Sequence, residues 1–213
     1  MDLIDAEVST LLAKNAIVRV FKSDSDQFIS NIFLVEKKNG KFRPVINLRY
    51  LNEFIAYEHF KQETLAFTLK MIKPNDYLAS IDLSDAYFSI PIFKGHRKYL
   101  RFVWRDVLYE FTCLPFGISS APRVFTKTLK PIFACLRGQG IVCSYFIDDS
   151  IFAADNEQES LLATNKAANL FNKLGFSVNK EKSHFTPSKE LVFLGFLINT
   201  ETYTVSLTPE KID

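Results

Sequence analysis

"SYFIDDSIFAAD", residues 144–155, sets Asp148 and Asp149 side by side between two apolar runs. Taken alone, such a pair reads plainly as a tight turn, because aspartate bonds nearby backbone amides and tolerates unusual dihedrals. Adjacent carboxylates repel, however, and a turn needs only one of them. A third carboxylate stands in a matching context: "YLASIDLSDAYF", residues 77–88, carries Asp82 at the polar end of another apolar run. Brought to one sheet edge, Asp82, Asp148 and Asp149 would repel strongly and call for a divalent cation. All-oxygen ligands select a hard ion such as Mg2+. Two such ions about 3.5–4 Å apart activate a hydroxyl nucleophile and stabilise a leaving oxygen. The chemistry implied is phosphoryl or nucleotidyl transfer, and the carboxylates alone do not choose between hydrolysis and synthesis.

The cations are segregated. Residues 37–49 hold Lys37, Lys38, Lys41, Arg43 and Arg49 without an acid, and residues 94–105 hold Lys94, Arg97, Lys98, Arg101 and Arg105, again without one. Two solvated hairpins would explain them; so would a phosphate backbone. The net charge of +2 decides nothing by itself.

The elements that must position these groups follow from periodicity and turn chemistry. Ile4, Val8, Leu11 and Leu12 recur at helical spacing. Asn39-Gly40 separates two β-rich runs and signals a hairpin with the first basic cluster near its tip. A short helix is expected over 63–72, a strand over 77–84, and a second hairpin turning at Arg105-Asp106. Ser119, Ser120 and Pro122 start a helix that runs to Gly138, with Pro131 expected to kink it. The strand–turn–strand around the paired aspartates comes next, then a helix from about 157 to 174 bounded by Gly175. "LVFLGFLI" and "YTVSL" are read as closing strands. The order resembles a split βαββαβ antiparallel sheet backed by helices, an α+β fold.

At 213 residues and 47% hydrophobic content the chain can bury a substantial core. Three cysteines without CxxC spacing indicate neither a disulfide framework nor zinc, and favour an intracellular compartment, cytoplasmic or nuclear. No apolar run reaches the roughly 18 residues of a membrane span, and Asp2 and Asp5 stand where a signal peptide would want cations, so no membrane partner is expected.

"FRPVINLRYLN", "SIDLSDAYFSIPI", "LPFGISSAPRVF", "YFIDD", "GFSVNKEKSHF" and "LVFLGF" resemble reverse-transcriptase motifs in order and spacing, over roughly residues 28–200. "LPFGISSAPRVFTKTLKP" with "KYLRFVW" is most similar to DIRS-type retrotransposons, with gypsy-like elements next. The resemblance implies an RNA-directed DNA polymerase of a retroelement, with the fingers and palm of a right-hand polymerase. Fingers are expected at about 1–57 and 91–120, palm at about 58–90 and 121–213, and no thumb, RNase H or integrase region. It implies two Mg2+ ions, replaceable by Mn2+, held by Asp82, Asp148, Asp149 and the Leu83 carbonyl, with Lys182 protonating the departing pyrophosphate. A dNTP would meet Lys37, Lys41, Arg43, Asp85, Ala86, Tyr87 and Phe116, where Tyr87 is the ring that leaves no room for a 2′-hydroxyl. Phe193, Leu194 and Gly195 match the primer grip, a turn that would hold the primer's 3′ end, and the partners would be a primed RNA or DNA template and dNTP. Two positions depart from the commonest pattern: Phe146 replaces the usual Tyr of YxDD, and Phe116 stands where retroviral enzymes carry Gln. The alternative is a truncated, inactive retroelement remnant that at most binds nucleic acid.

Overall fold

The computed structural model describes residues 3–36, 40 and 42–208. The chain begins with α1 (Leu3–Ala13), β1 (Ile17–Val20), β2 (Ile29–Ser30), β3 (Ile32–Glu36), β4 (Phe42–Ile46) and the single turn α2 (Arg49–Asn52). It continues through α3 (Leu65–Met71) and β5 (Tyr77–Ser84) into two 3-10 turns, Ala86–Ser89 and Lys94–Tyr99. Then come β6 (Arg101–Trp104), β7 (Val107–Phe111), α4 (Ala121–Gly138), β8 (Val142–Phe146), β9 (Asp149–Ala154) and α5 (Glu157–Lys173). Five short strands close it: β10 (Ser177–Val178), β11 (His184–Ser188), β12 (Glu190–Phe193), β13 (Phe196–Asn199) and β14 (Thr204–Leu207). These elements form two compact units, Met1–His59 with Tyr87–Val124, and Phe60–Ala86 with Phe125–Asp213.

The first unit is built on the sheet β1-β7-β6-β2, in which β2 runs parallel to β6 and the other pairs are antiparallel. Arg105 and Asp106 turn its hairpin with φ of 47° and 60°, as the two residues between alternating runs predict. Val8, Leu11, Ile17, Phe102 and Phe111 form its core with Ile46 and Leu48. Arg101 is buried there but not alone: it pairs with Glu110 at 2.9 Å and Asp24 at 2.8 Å. The ribbon β3–β4 includes Arg43 of the first basic cluster, and Gly40 sits at φ 72° in its connection. Lys37, Lys38, Asn39 and Lys41 lie outside the described residues.

The second unit positions the aspartates. Its sheet has the order β10-β5-β9-β8, with β11 also on β5, and every pairing is antiparallel. Alternation sends Ala79, Ile81, Cys143, Tyr145 and Phe152 to one face, and Leu78, Ile151 and Ala153 to the other. On the first face a run of rings joins the helices to the hairpin. Phe125 meets Phe176 and Phe176 meets Phe171, both at 6.1 Å; Phe171 meets Phe133 at 5.8 Å, and Phe133 stacks on Tyr145 at 4.1 Å. The second face is covered by Ile72, Leu191, Phe193 and Ile198. Burial on both faces explains why β5 and β9 read as nearly continuous apolar runs.

The helices follow their local signals. Asn156 caps α5 by accepting from Glu159 N at 2.8 Å, and Gly175 follows it at φ 87°. Thr64 caps α3, accepting from Phe67 N at 3.2 Å, and α4 runs as one helix through Pro131. Two expectations need correction. "LVFLGFLI", a strand by its apolar pattern, is a hairpin, β12–β13, with the turn that the primer-grip resemblance implies, because Leu194 and Gly195 both take positive φ, 53° and 76°. The strand that completes the split sheet comes instead from the short, polar segments β10 and β11.

Candidate active site

The register of β5 and β9 sets Asp82 directly opposite Asp149, on the same sheet face. Asp148 occupies the turn between β8 and β9, where its carbonyl accepts the Leu83 amide at 3.0 Å. Backbone ladders on both strands therefore fix the three aspartates at one end of the sheet. The turn itself is tense: Ile147, β-branched, sits at φ 54°, a conformation such residues rarely adopt.

Asp82 is held further by the polar loop of the "GFSVNKEKSHF" motif, through Asn179 and Ser183, to which the sequence reading gives no role. The Asp82 amide donates to Ser183 Oγ at 3.0 Å, and its carbonyl accepts from Asn179 N at 2.9 Å. Asn179 Oδ1 in turn accepts the amides of Glu181 and Lys182, at 3.2 and 3.3 Å. That loop delivers the Lys182 ammonium to 3.8 Å from Asp82 Oδ2. These contacts of Asn179 and Ser183 depend on β10 and β11 both pairing with β5.

The electrostatics are those of charge awaiting a counterion. Burial raises the Asp82 carboxyl above its ordinary value, and Lys182 and Asn179 partly offset this. Burial and the Asp82 charge raise Asp148. Burial, then Asp148 and Asp82, push Asp149 up to about 6. Hard oxygen donors that are buried and mutually repelling fit a divalent cation. The trio is not a ready-made cage: among the described residues no group of three or more His, Cys, Asp or Glu side chains is assembled to hold a metal. Mg2+ is ordinarily held by one or two carboxylates, with water and substrate phosphate completing its shell, and this donor set suits that habit.

One consequence is measurable without substrate. Asp149→Asn removes a disfavoured charge and is expected to stabilise the EDTA-treated protein by about 1–2 kcal/mol at pH 7.5, roughly 3–6 °C in Tm. A carboxyl raised in the folded state contributes stability that is full below the unfolded value of 3.8 and lost as pH rises through about 6. The variant's advantage should therefore vanish near pH 4 and grow to a plateau above pH 7. A thermal melt series showing no such growth would mean that Asp149 is not electrostatically disfavoured.

Other expected site residues are placed as follows. Leu83 is buried in β5 and paired with Val178. Asp85 is exposed at φ 47°, and Ala86 is buried. Leu194 and Gly195 form the β12–β13 turn, and Phe193, which ends β12, is packed in the core that covers the aspartate-bearing face. In the first unit, Tyr87 lies against Phe116 with ring centroids 5.4 Å apart. Arg43 pairs with Val35 in the ribbon, and its side chain lies outside what is described.

The profile of the family described as "Reverse transcriptase (RNA-dependent DNA polymerase)" matches residues 35–198, a span that includes all three aspartates. The chain belongs to the reverse transcriptase family. It is similar to the Retrovirus-related Pol polyprotein from transposon gypsy of Drosophila melanogaster, at 27% identity over 99% of this chain and 20% of that protein. The enzymatic polyprotein of cauliflower mosaic virus (strain D/H) is 24% identical over 87% of this chain and 28% of its own length. Among solved structures, the foamy viral protease-reverse transcriptase in complex with dsDNA has a TM-score of 0.84 at 25% identity, covering 97% of this chain and 41% of that one. The foamy viral protein with an RNA/DNA hybrid gives 0.78 at 23% identity, over 97% of this chain and 27% of that one, a likeness of fold. With gypsy and transposon Tf2 polyproteins among its relatives, the domain is of retroelement type. The chain spans about a fifth of the gypsy polyprotein and under half of the foamy viral chain.

Proposed function

We propose that this domain is the RNA-directed DNA polymerase of a retroelement, adding dNTP to a primer 3′-hydroxyl under the direction of an RNA or DNA template. The observation that supports it most is the pairing of Asp82 with Asp149, with Asp148 locked to Leu83 beside them. The first compact unit would serve as fingers and the second as palm. Bound Mg2+, for which Mn2+ can substitute, would activate the hydroxyl and stabilise the leaving oxygen.

The chain's own residues do the rest. Asp82, Asp148 and Asp149 hold the ions with the Leu83 carbonyl. Lys182, already drawn toward Asp82, gives a proton to the departing pyrophosphate. On motif order alone, Lys37, Lys41 and Arg43 grip the triphosphate, the backbone at Asp85 and Ala86 lines it, and Tyr87 and Phe116 bear on the sugar. Phe193, Leu194 and Gly195 hold the primer end. Template is read by base pairing, so the protein contacts backbone and shape. Exposed rings at Tyr50, Phe54 and Tyr57 suit stacking on unpaired bases. The motifs "LPFGISSAPRVFTKTLKP" and "KYLRFVW" favour a DIRS-type element. Three free cysteines suit a reducing compartment, cytoplasm or nucleus, and among the described residues no helix is long and apolar enough to cross a membrane.

Primer extension on poly(rA)·oligo(dT) with dTTP tests the reading, first with Mg2+ and then with Mn2+. Elongated product with either ion is the expected result. Binding of primer–template with no extension under both ions would overturn the catalytic reading and leave a nucleic-acid-binding remnant.

A further inference from the structure

β8, the strand that runs into the Asp148 turn, is the edge of its sheet. Phe146 and Asp149 flank a two-residue turn, so residues 142, 144 and 146 bond to β9 while the backbone groups of Cys143 and Tyr145 point outward. Among the described residues no strand lies on that side. Two side chains stand in for one. Glu63 Oε2 accepts the Tyr145 amide at 3.1 Å, and Arg137 donates to the Cys143 carbonyl from Nη2 at 2.8 Å and Nε at 3.1 Å. The two are joined by Arg137 Nη2 to both Glu63 oxygens, at 2.6 and 2.7 Å.

The arrangement extends inward. Ser144, fully buried, donates its hydroxyl proton to Glu63 Oε2 at 2.8 Å. Ser144 has no second proton, so Thr68 of α3, 2.8 Å away, donates to it. The guanidinium lies near the rings of Phe67 and Phe133, 5.7 and 6.0 Å from their centroids, and Phe133 also stacks on Tyr145. Glu63 thus accepts from Arg137, Ser144 and Tyr145 at once. A surface ion pair requires no such convergence.

We propose that Glu63 and Arg137 are positioning residues: they complete the open edge of β8 and thereby fix the register and height of the turn that presents Asp148 and Asp149. This rests on reading those aspartates as the catalytic carboxylates. Tyr145 precedes Asp148 by three residues, so slack at its amide is passed directly into the turn. Displacement of about 1 Å at a reacting group costs about a hundredfold in rate, so partial loosening should cost about tenfold or more.

The test compares Glu63→Ala, Glu63→Gln and Arg137→Lys with the unaltered chain, counting active sites so that rates refer to folded enzyme. Glu63→Ala should lower kcat about twentyfold while KM for dTTP and primer–template stays within about twofold, with Glu63→Gln intermediate because one acceptor oxygen remains. Arg137→Lys should fall about tenfold, since an ammonium cannot span both Glu63 and the Cys143 carbonyl. A purely structural pair would reduce the number of active sites and leave kcat per site unchanged, and that result overturns the proposal. Amide hydrogen exchange over residues 142–151 gives a readout independent of turnover. Faster exchange there in Glu63→Gln, with α5 unaltered, supports positioning, and unaltered exchange refutes it. Should the unaltered chain fail to extend a primer, the polymerase reading fails, and the exchange comparison still decides whether the pair anchors the turn.

Discussion

Asp148→Ala should lower Mg2+-dependent primer extension by at least about a thousandfold while the protein remains folded and still binds primer–template. The magnitude follows from what the residue is placed to do. Its carbonyl is tied to the Leu83 amide, so the backbone of the turn survives truncation, and the loss is confined to the carboxylate. Ionised carboxylate oxygen holds a hard cation well, and neither Ala nor water in its place restores the lost charge. Removing one of three mutually repelling acids also relieves strain in the ion-free protein, so Tm in EDTA should hold or rise. Activity and stability therefore move in opposite directions, which a misfolded variant cannot imitate. Extension at an unaltered rate would remove Asp148 from the site, and extension lost together with Tm would make its role structural.

The aspartate pair was legible because both faces of β5 and β9 are buried. Long apolar runs broken by acids have few structural uses, and the register then needed only the split βαββαβ order to bring residues 82 and 149 together. What escaped reading has identifiable causes. β11 contains Pro187 and polar side chains, which argue against a strand, yet it lies at the edge of β5 in irregular register, where a missing amide is tolerated. Pattern alone hides the β12–β13 turn inside an apolar run, because Leu194, not Asn or Asp, precedes Gly195 at positive φ; only the primer-grip resemblance implies it. Asn179 and Ser183 gain meaning only once the loop folds against Asp82. Glu63 and Arg137 lie far apart in sequence, and neither belongs to a local pattern; an edge strand's need for outward partners is a property of the assembled sheet.

Sugar selection offers the other large effect. Tyr87→Ala should raise incorporation of ribonucleotides relative to deoxyribonucleotides by about a hundredfold, whereas Tyr87→Phe should leave the ratio unchanged. Two rings, Tyr87 and Phe88, are adjacent in the chain, and the first unit separates them. Phe88 turns inward, 6.5 Å from Phe111 and edge-on to Phe116 at 5.5 Å, among the residues packed on that unit's core. Tyr87, half-buried, lies tilted against Phe116 with ring centroids 5.4 Å apart. Truncating Tyr87 therefore removes a ring without opening the core, because the Phe88–Phe116 contact persists. A gate works by bulk, which the ring supplies and the hydroxyl does not, so Phe preserves it and Ala does not. Phe116→Ala should act more weakly in the same direction, since it removes the surface that orients Tyr87. Competition between rUTP and dTTP on a single primed template measures the ratio directly. A ratio unaltered by Tyr87→Ala, with Tm lowered, would return Tyr87 to packing and place sugar selection elsewhere in the chain.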